Sequence, residues 1–214
     1  MKPLLYLVGG LAAGAGAGCL YLNSQIKEQT FPEMSFHYQE EQCSYKQLHQ
    51  KYKALENFSN KFKSSFDNNL FSIMGLYYDN PKFLKDKNKC RVALGFVVEK
   101  KLPQQDNDGL TTGRTSITIP SFKAMTIPML ICKCSCLFGL YYYLLLRKYE
   151  AKYGNQLVSK KIAFFPMGER YSAKGSYVFA PVPDDINHLK FVKAPQPELN
   201  NEGKAYNEKR ASGS

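Results

Sequence analysis

The chain has 214 residues, 44% of them hydrophobic and 14% aromatic, which is room for one domain with an ample core and excludes a disordered chain. Its 29 basic and 18 acidic residues give a net charge of +11, all of it before Asp184, because five basic and five acidic residues cancel beyond that point. With no nucleic-acid-binding motif present, that excess predicts an anionic lipid surface as partner and no nucleic acid.

Residues 1–22 read as a single-pass transmembrane anchor. Pro3 to Leu22 gives 20 residues without a charge, enough for a helix across a bilayer core. Gly10, Gly14 and Gly18 share one helix face, where two anchors could approach closely and form a homodimer. A cleaved secretory signal, or a lipoprotein signal ending at Cys19, would begin in the same way. The apolar run continues through Leu20, Tyr21 and Leu22, which favours retention. Lys2 before the span and Lys27 among Glu28 and Glu33 lean towards a cytosolic N-terminus.

Residues 23–32 are expected to be a linker. Met34, Phe36 and Tyr38 alternate with polar neighbours, which predicts a half-buried strand. Tyr45, Leu48, Tyr52, Leu55, Phe58, Phe62 and Phe66 then recur every three or four residues and predict a helix. Its lysines, Lys46, Lys51, Lys53, Lys61 and Lys63, form the opposite face, either solvated or against a membrane. Asn57-Phe58-Ser59 is a glycosylation sequon, usable only in the secretory lumen. Strands are expected at Phe71–Tyr78, Cys90–Val98, Thr115–Ile119 and Phe122–Ile127, with a loop from Lys100 to Arg114.

Met129 to Leu146 is apolar apart from Lys133. The lysine, three cysteines and three tyrosines suit a buried or pocket-lining helix better than a second span, and the helix is expected to stop at Gly154. Strands follow at Lys161–Phe165, Met167–Tyr171 and Ser176–Val182, and residues 184–214 are expected to be a disordered tail. Strand, helix, strand, strand thus occurs twice within residues 33–183. This predicts an α+β fold of duplicated β-α-β-β units, with one antiparallel sheet, helices on one face and a cleft on the other.

Enzyme signatures are absent: there is no Gly-rich phosphate loop, HExxH or GxSxG. His37, His49 and His188 fall on three different elements, so no metal site, cofactor or catalytic residue is assigned. The six cysteines, Cys19, Cys43, Cys90, Cys132, Cys134 and Cys136, show neither a framework spacing nor a CxxC pair, and free thiols are expected.

Tyr77-Tyr78-Asp79-Asn80-Pro81, a short lysine-rich loop, then Lys89-Cys90-Arg91 and a hydrophobic strand, resembles the GyrI-like (SOUL-related) ligand-binding domain family. The spelling is most similar to its eukaryotic membrane-anchored branch, receptors for autophagy of the endoplasmic reticulum. Pro166-Met167-Gly168-Glu169-Arg170-Tyr171 matches the family's P-x-x-E-x-Y context. The resemblance implies a cleft in which the Glu169 carboxylate sits among Tyr77, Tyr78 and Tyr171 and attracts a cationic, flat or amphiphilic small molecule. It also implies a domain in the cytosol at the endoplasmic reticulum membrane, with autophagy modifier proteins as partners. The chain departs from that branch in its tail, which is short and neutral and lacks an aromatic-x-x-aliphatic motif: Phe191 is followed by Ala194, and Tyr206 by Lys209. Three functions are expected, in this order. The first is a membrane-anchored adaptor or receptor in reticulophagy. The second is a membrane-tethered binding module for an amphiphilic, lipid or tetrapyrrole-like ligand. The third is a hydrolase using Glu169.

Overall fold

The computed structural model describes residues 17–62, 71–99, 113–129, 135–162, 165–172 and 175–212. Among them are the strands β1 (Lys27–Phe31), β2 (Met34–Cys43), β3 (Phe71–Tyr77), β4 (Cys90–Val98), β5 (Thr115–Ile119), β6 (Phe122–Pro128), β7 (Met167–Ser172) and β8 (Gly175–Pro181). Helix α1 (Tyr45–Phe62) lies between β2 and β3, α2 (Ser135–Ser159) between β6 and β7, and α3 (Asn201–Ser212) after β8. The strands form one sheet in the order β1-β6-β8-β7-β3-β4-β2-β5, with every pairing antiparallel. The expected duplication is present as β2-α1-β3-β4 and β6-α2-β7-β8. In each unit the last strand inserts between the first two, and the units meet where β7 pairs with β3.

Several expected boundaries are corrected. Residues 27–31, expected within a linker, form an edge strand, because Phe31 turns inward and stacks on Phe122 with ring centroids 4.9 Å apart. Helix α2 runs through Gly154, since Tyr153 and Leu157 prolong the buried stripe of Tyr141, Leu145 and Tyr149 at four-residue spacing. Lys161 and Ile162 close a turn rather than open a strand. Residues 1–16, with Gly10 and Gly14, and Cys132 and Cys134 lie outside the described residues. Residues 17–24 are helical, and a Cβ at Gly18 would meet nothing within 4 Å. Among the described residues no helix is long and apolar enough to cross a membrane.

Strand alternation sorts the side chains into two layers. Ile73, Val92, Leu94, Phe96, Met167 and Val178 face α1 and α2, which share one side of the sheet. Phe36, Tyr38, Met74, Leu76, Phe122 and Phe179 face the other way. The helix-free side is covered by residues expected to be disordered: Leu189 is fully buried in that layer, and the Phe191 ring lies 4.9 Å from that of Tyr38. The tail orders because it has apolar surface to cover and backbone partners to meet. Lys193 N–H donates to Glu40, Lys85 N–H to Glu198 O at 2.9 Å, and Asn200 caps α3 by accepting from Gly203 N–H at 2.8 Å.

The Asp79-Asn80-Pro81 corner has a definite mechanical role. The Asp79 carboxylate accepts from Arg91 N–H at 2.9 Å, Arg91 Nε at 2.9 Å and Arg91 Nη2 at 2.8 Å, joining the end of β3 to the start of β4. Arg91 Nη1 also donates to Ala194 O, so one guanidinium ties strand, corner and tail together. The Asp79 side chain is 2% exposed. Asp79→Asn is therefore expected to cost about 3 kcal/mol of stability, because it leaves a partly buried guanidinium without its counter-charge. Denaturant unfolding checks this.

Candidate ligand-binding site

The junction between the two units places Glu169. It sits on β7 opposite Gly75 of β3, with Tyr171 opposite Ile73 and Met167 opposite Tyr77, all on the helix-bearing face. Glu169 is 3% exposed and accepts from the Tyr171 hydroxyl at 2.5 Å and from the Tyr52 hydroxyl. Tyr52 comes from α1; its ring meets Tyr171 edge-on at 5.3 Å, and its hydroxyl lies 3.1 Å from that of Tyr77. The arrangement is a buried carboxylate held by tyrosine hydroxyls, with Tyr52 relaying to Tyr77.

Among the described residues no cation pairs with it. Arg170 points to the opposite face, where it donates to Ser72 Oγ at 2.8 Å, pairs with Glu99 and lies over the Phe31 ring. Burial pushes the Glu169 carboxyl up to about 7, even though the hydrogen bonds from Tyr171 and Tyr52 favour the charged form. Tyr171 is raised in turn by burial and by the Glu169 charge.

Gly75 makes this geometry attainable. A Cβ there would lie 2.0 Å from the Tyr52 hydroxyl oxygen, so only glycine lets the α1 tyrosine reach the sheet. Gly75→Ala is expected to push Tyr52 off Glu169 and remove one donor to its charged form. The carboxyl should then titrate above 7, which a 13C NMR titration of labelled glutamate would show.

A cavity of about 260 Å3 begins at Tyr77, one pleat along the sheet from Glu169, and runs under α2. Its wall is aromatic, made of Tyr77, Phe83, Tyr142, Phe165 and Tyr206, with Met167 and Leu146 completing it. Glu150 of α2 stands in that wall and is held by Tyr206 Oη at 3.2 Å and Arg210 Nη2 at 3.1 Å. The Tyr206 ring stacks on Phe83 at 4.8 Å, so α3 closes one side of the cavity.

Of the residues expected in the cleft, Tyr77, Glu169 and Tyr171 come together, on the helix-bearing face rather than the free one. Tyr78 does not join them. It borders the cavity, but alternation sends its ring to the other layer, where its hydroxyl donates to Leu189 O at 2.6 Å. Sequence reasoning missed Tyr52, which reads as one more apolar helix position, along with Gly75, Glu150 and Tyr206. Asn57 is exposed on α1. Among the described residues no group of three or more His, Cys, Asp or Glu could hold a metal.

No family model matches the chain, and no curated protein matches it. Among solved structures it is similar to the EcmrR C-terminal domain, at 14% identity over 73% of this chain and 96% of that one, with a TM-score of 0.44. It is also similar to a putative bacterial transcription regulation protein from Staphylococcus aureus MU50, at 13% identity, 73% and 97% coverage, and a TM-score of 0.42. A third is SAV2435 bound to tetraphenylphosphonium, at 12% identity, 73% and 93% coverage, and a TM-score of 0.38. Likenesses this distant leave the chemistry of the chain to its own residues.

Proposed function

We propose that this protein is a GyrI-like binding module that takes a flat, cationic or amphiphilic small molecule into the aromatic cavity beside Glu169. The observation that carries this reading is the pairing of a buried carboxylate, held by tyrosine hydroxyls, with tyrosines that connect it to an aromatic-walled cavity. A ligand cation gains from the charge and from the ring faces, and the apolar wall desolvates its body. Among the described residues Glu169 is held by tyrosine hydroxyls and has no activated nucleophile paired with it, so binding ranks above hydrolysis.

The adaptor role in reticulophagy ranks second, since strand addition needs a free aromatic motif. The tail's two aromatic residues are both engaged, Phe191 against Tyr38 and Tyr206 against Phe83. Tethering by residues 1–22 at the endoplasmic reticulum, with the domain in the cytosol, belongs to the same proposal. It is supported by the uncharged run from Pro3 to Leu22. Protease access to the domain in microsomes, and the absence of glycan at Asn57, test that orientation.

The binding test is fluorescence titration of the full chain with N-methylacridinium, a flat cation charged at every pH, beside a neutral ring system of the same shape. Saturable binding of the cation, weakened at least about tenfold by Glu169→Gln, supports the reading. Equal binding of both probes, or no effect of the substitution, overturns it.

A further inference from the structure

Cys43 is the last residue of β2 and Cys90 the first of β4, and the two are direct partners in the antiparallel register of those strands. Opposed residues point to the same face, with Cα atoms about 4.5 or 5.5 Å apart according to the type of pair. Both values lie within the span a disulfide bridges, about 4.4–6.8 Å. Here the shared face is the one beneath α1, where Cys43 clusters with Leu48, Tyr77 and Val92, and its register partner Cys90 is buried. Both are free thiols. Nothing in their sequence spacing announces the pair; the register creates it.

We propose that Cys43 and Cys90 form a cross-strand disulfide that locks β2 to β4 beneath α1 when the chain folds in the presence of a small-molecule disulfide oxidant. With oxidised glutathione, one cysteine thiolate attacks a glutathione sulfur, giving a mixed disulfide and one glutathione thiolate. The second cysteine thiolate attacks the protein sulfur of that mixed disulfide and expels the second glutathione. Two protein thiols become one disulfide, one oxidised glutathione becomes two reduced ones, and the two protons pass to the glutathione thiolates.

Burial fixes the timing. It raises both thiols, Cys90 to about 12 with the Asp79 charge adding to the effect, so thiolate is scarce once α1 has closed. The exchange therefore belongs to folding, and the finished bond is shielded from reductants by the same packing.

The test refolds the full-length protein with reduced and oxidised glutathione, traps free thiols with N-ethylmaleimide and digests without reduction. The expected result is a Cys43 peptide joined to a Cys90 peptide as the dominant disulfide, in a form melting about 10 °C above the reduced one. A second preparation, with Cys19, Cys132, Cys134 and Cys136 replaced by serine, is expected to give the same linked peptide. Recovery of Cys43 and Cys90 as maleimide or glutathione adducts, or joined to other cysteines, overturns the proposal. So does a linked form that melts no higher than the reduced one.

Discussion

Raising the pH from 6 to 8 is expected to tighten binding of a permanently charged aromatic cation about tenfold, with the midpoint near 7, and Glu169→Gln is expected to abolish that slope. A carboxyl titrating at about 7 is roughly one-tenth ionised at pH 6 and nine-tenths at pH 8, and only the ionised form attracts the ligand. The same shift fixes the stability of the ligand-free protein. The folded-state value lies above the unfolded one, so the stability that Glu169 contributes is complete below about pH 4.5 and is lost as the pH rises through 7. Keeping this buried group charged at pH 8 costs about 3 kcal/mol. Glu169→Gln is thus expected to stabilise the empty protein by about that amount at pH 8 and to make little difference at pH 4.5. Urea unfolding at the two pH values measures the difference. A variant that is no more stable at pH 8 would mean that the carboxylate is better compensated than its tyrosine donors suggest. Binding loss and stability gain in one substitution is the combination that a purely structural glutamate would not give.

Deleting residues 184–214 is expected to unfold the domain rather than trim it. Ile186 and Leu189 are fully buried, and Phe191 packs among Tyr38, Phe36 and Tyr78. Burying these side chains contributes about 5 kcal/mol, on the scale of the whole stability of an ordinary domain. The deletion also strips Tyr78 Oη of its acceptor, Leu189 O. Leu189→Ala alone is expected to cost about 3 kcal/mol, read from the shift of the denaturation midpoint. A chain ending after Ala194 separates the two roles of the tail. It keeps the residues that cover the sheet and the acceptor of Arg91, and it loses α3 with Tyr206 and Arg210. That variant is expected to keep most of the stability and to bind ligand faster, because one wall of the cavity is gone. Equal melting of the full chain and the chain ending at Pro183 would refute the covering role.

The parts of the site that could be read in advance are those fixed by local period. Glu169 and Tyr171 are two apart on a strand, so they share a face whatever the fold, and Tyr77 follows from the alternation of β3. The resemblance implies Tyr78 in the same cleft, but its one-residue offset from Tyr77 sends it to the other layer. Tyr52 could not be told from its helical neighbours Leu55 and Phe58 by spacing, because which apolar position meets a carboxylate depends on where α1 crosses the sheet.

By itself the sequence determined the two β-α-β-β runs and the apolar face of α1, since each follows from periodicity within a short stretch. Tertiary structure decided the rest. The β3–β7 pairing set Glu169 opposite Gly75, the β2–β4 register set Cys43 opposite Cys90, and the chain after β8 found an uncovered apolar face. The physical reason is common to all three. A polar segment orders, or a carboxyl holds its proton, according to surfaces brought from distant parts of the chain, and local patterns carry no record of those meetings.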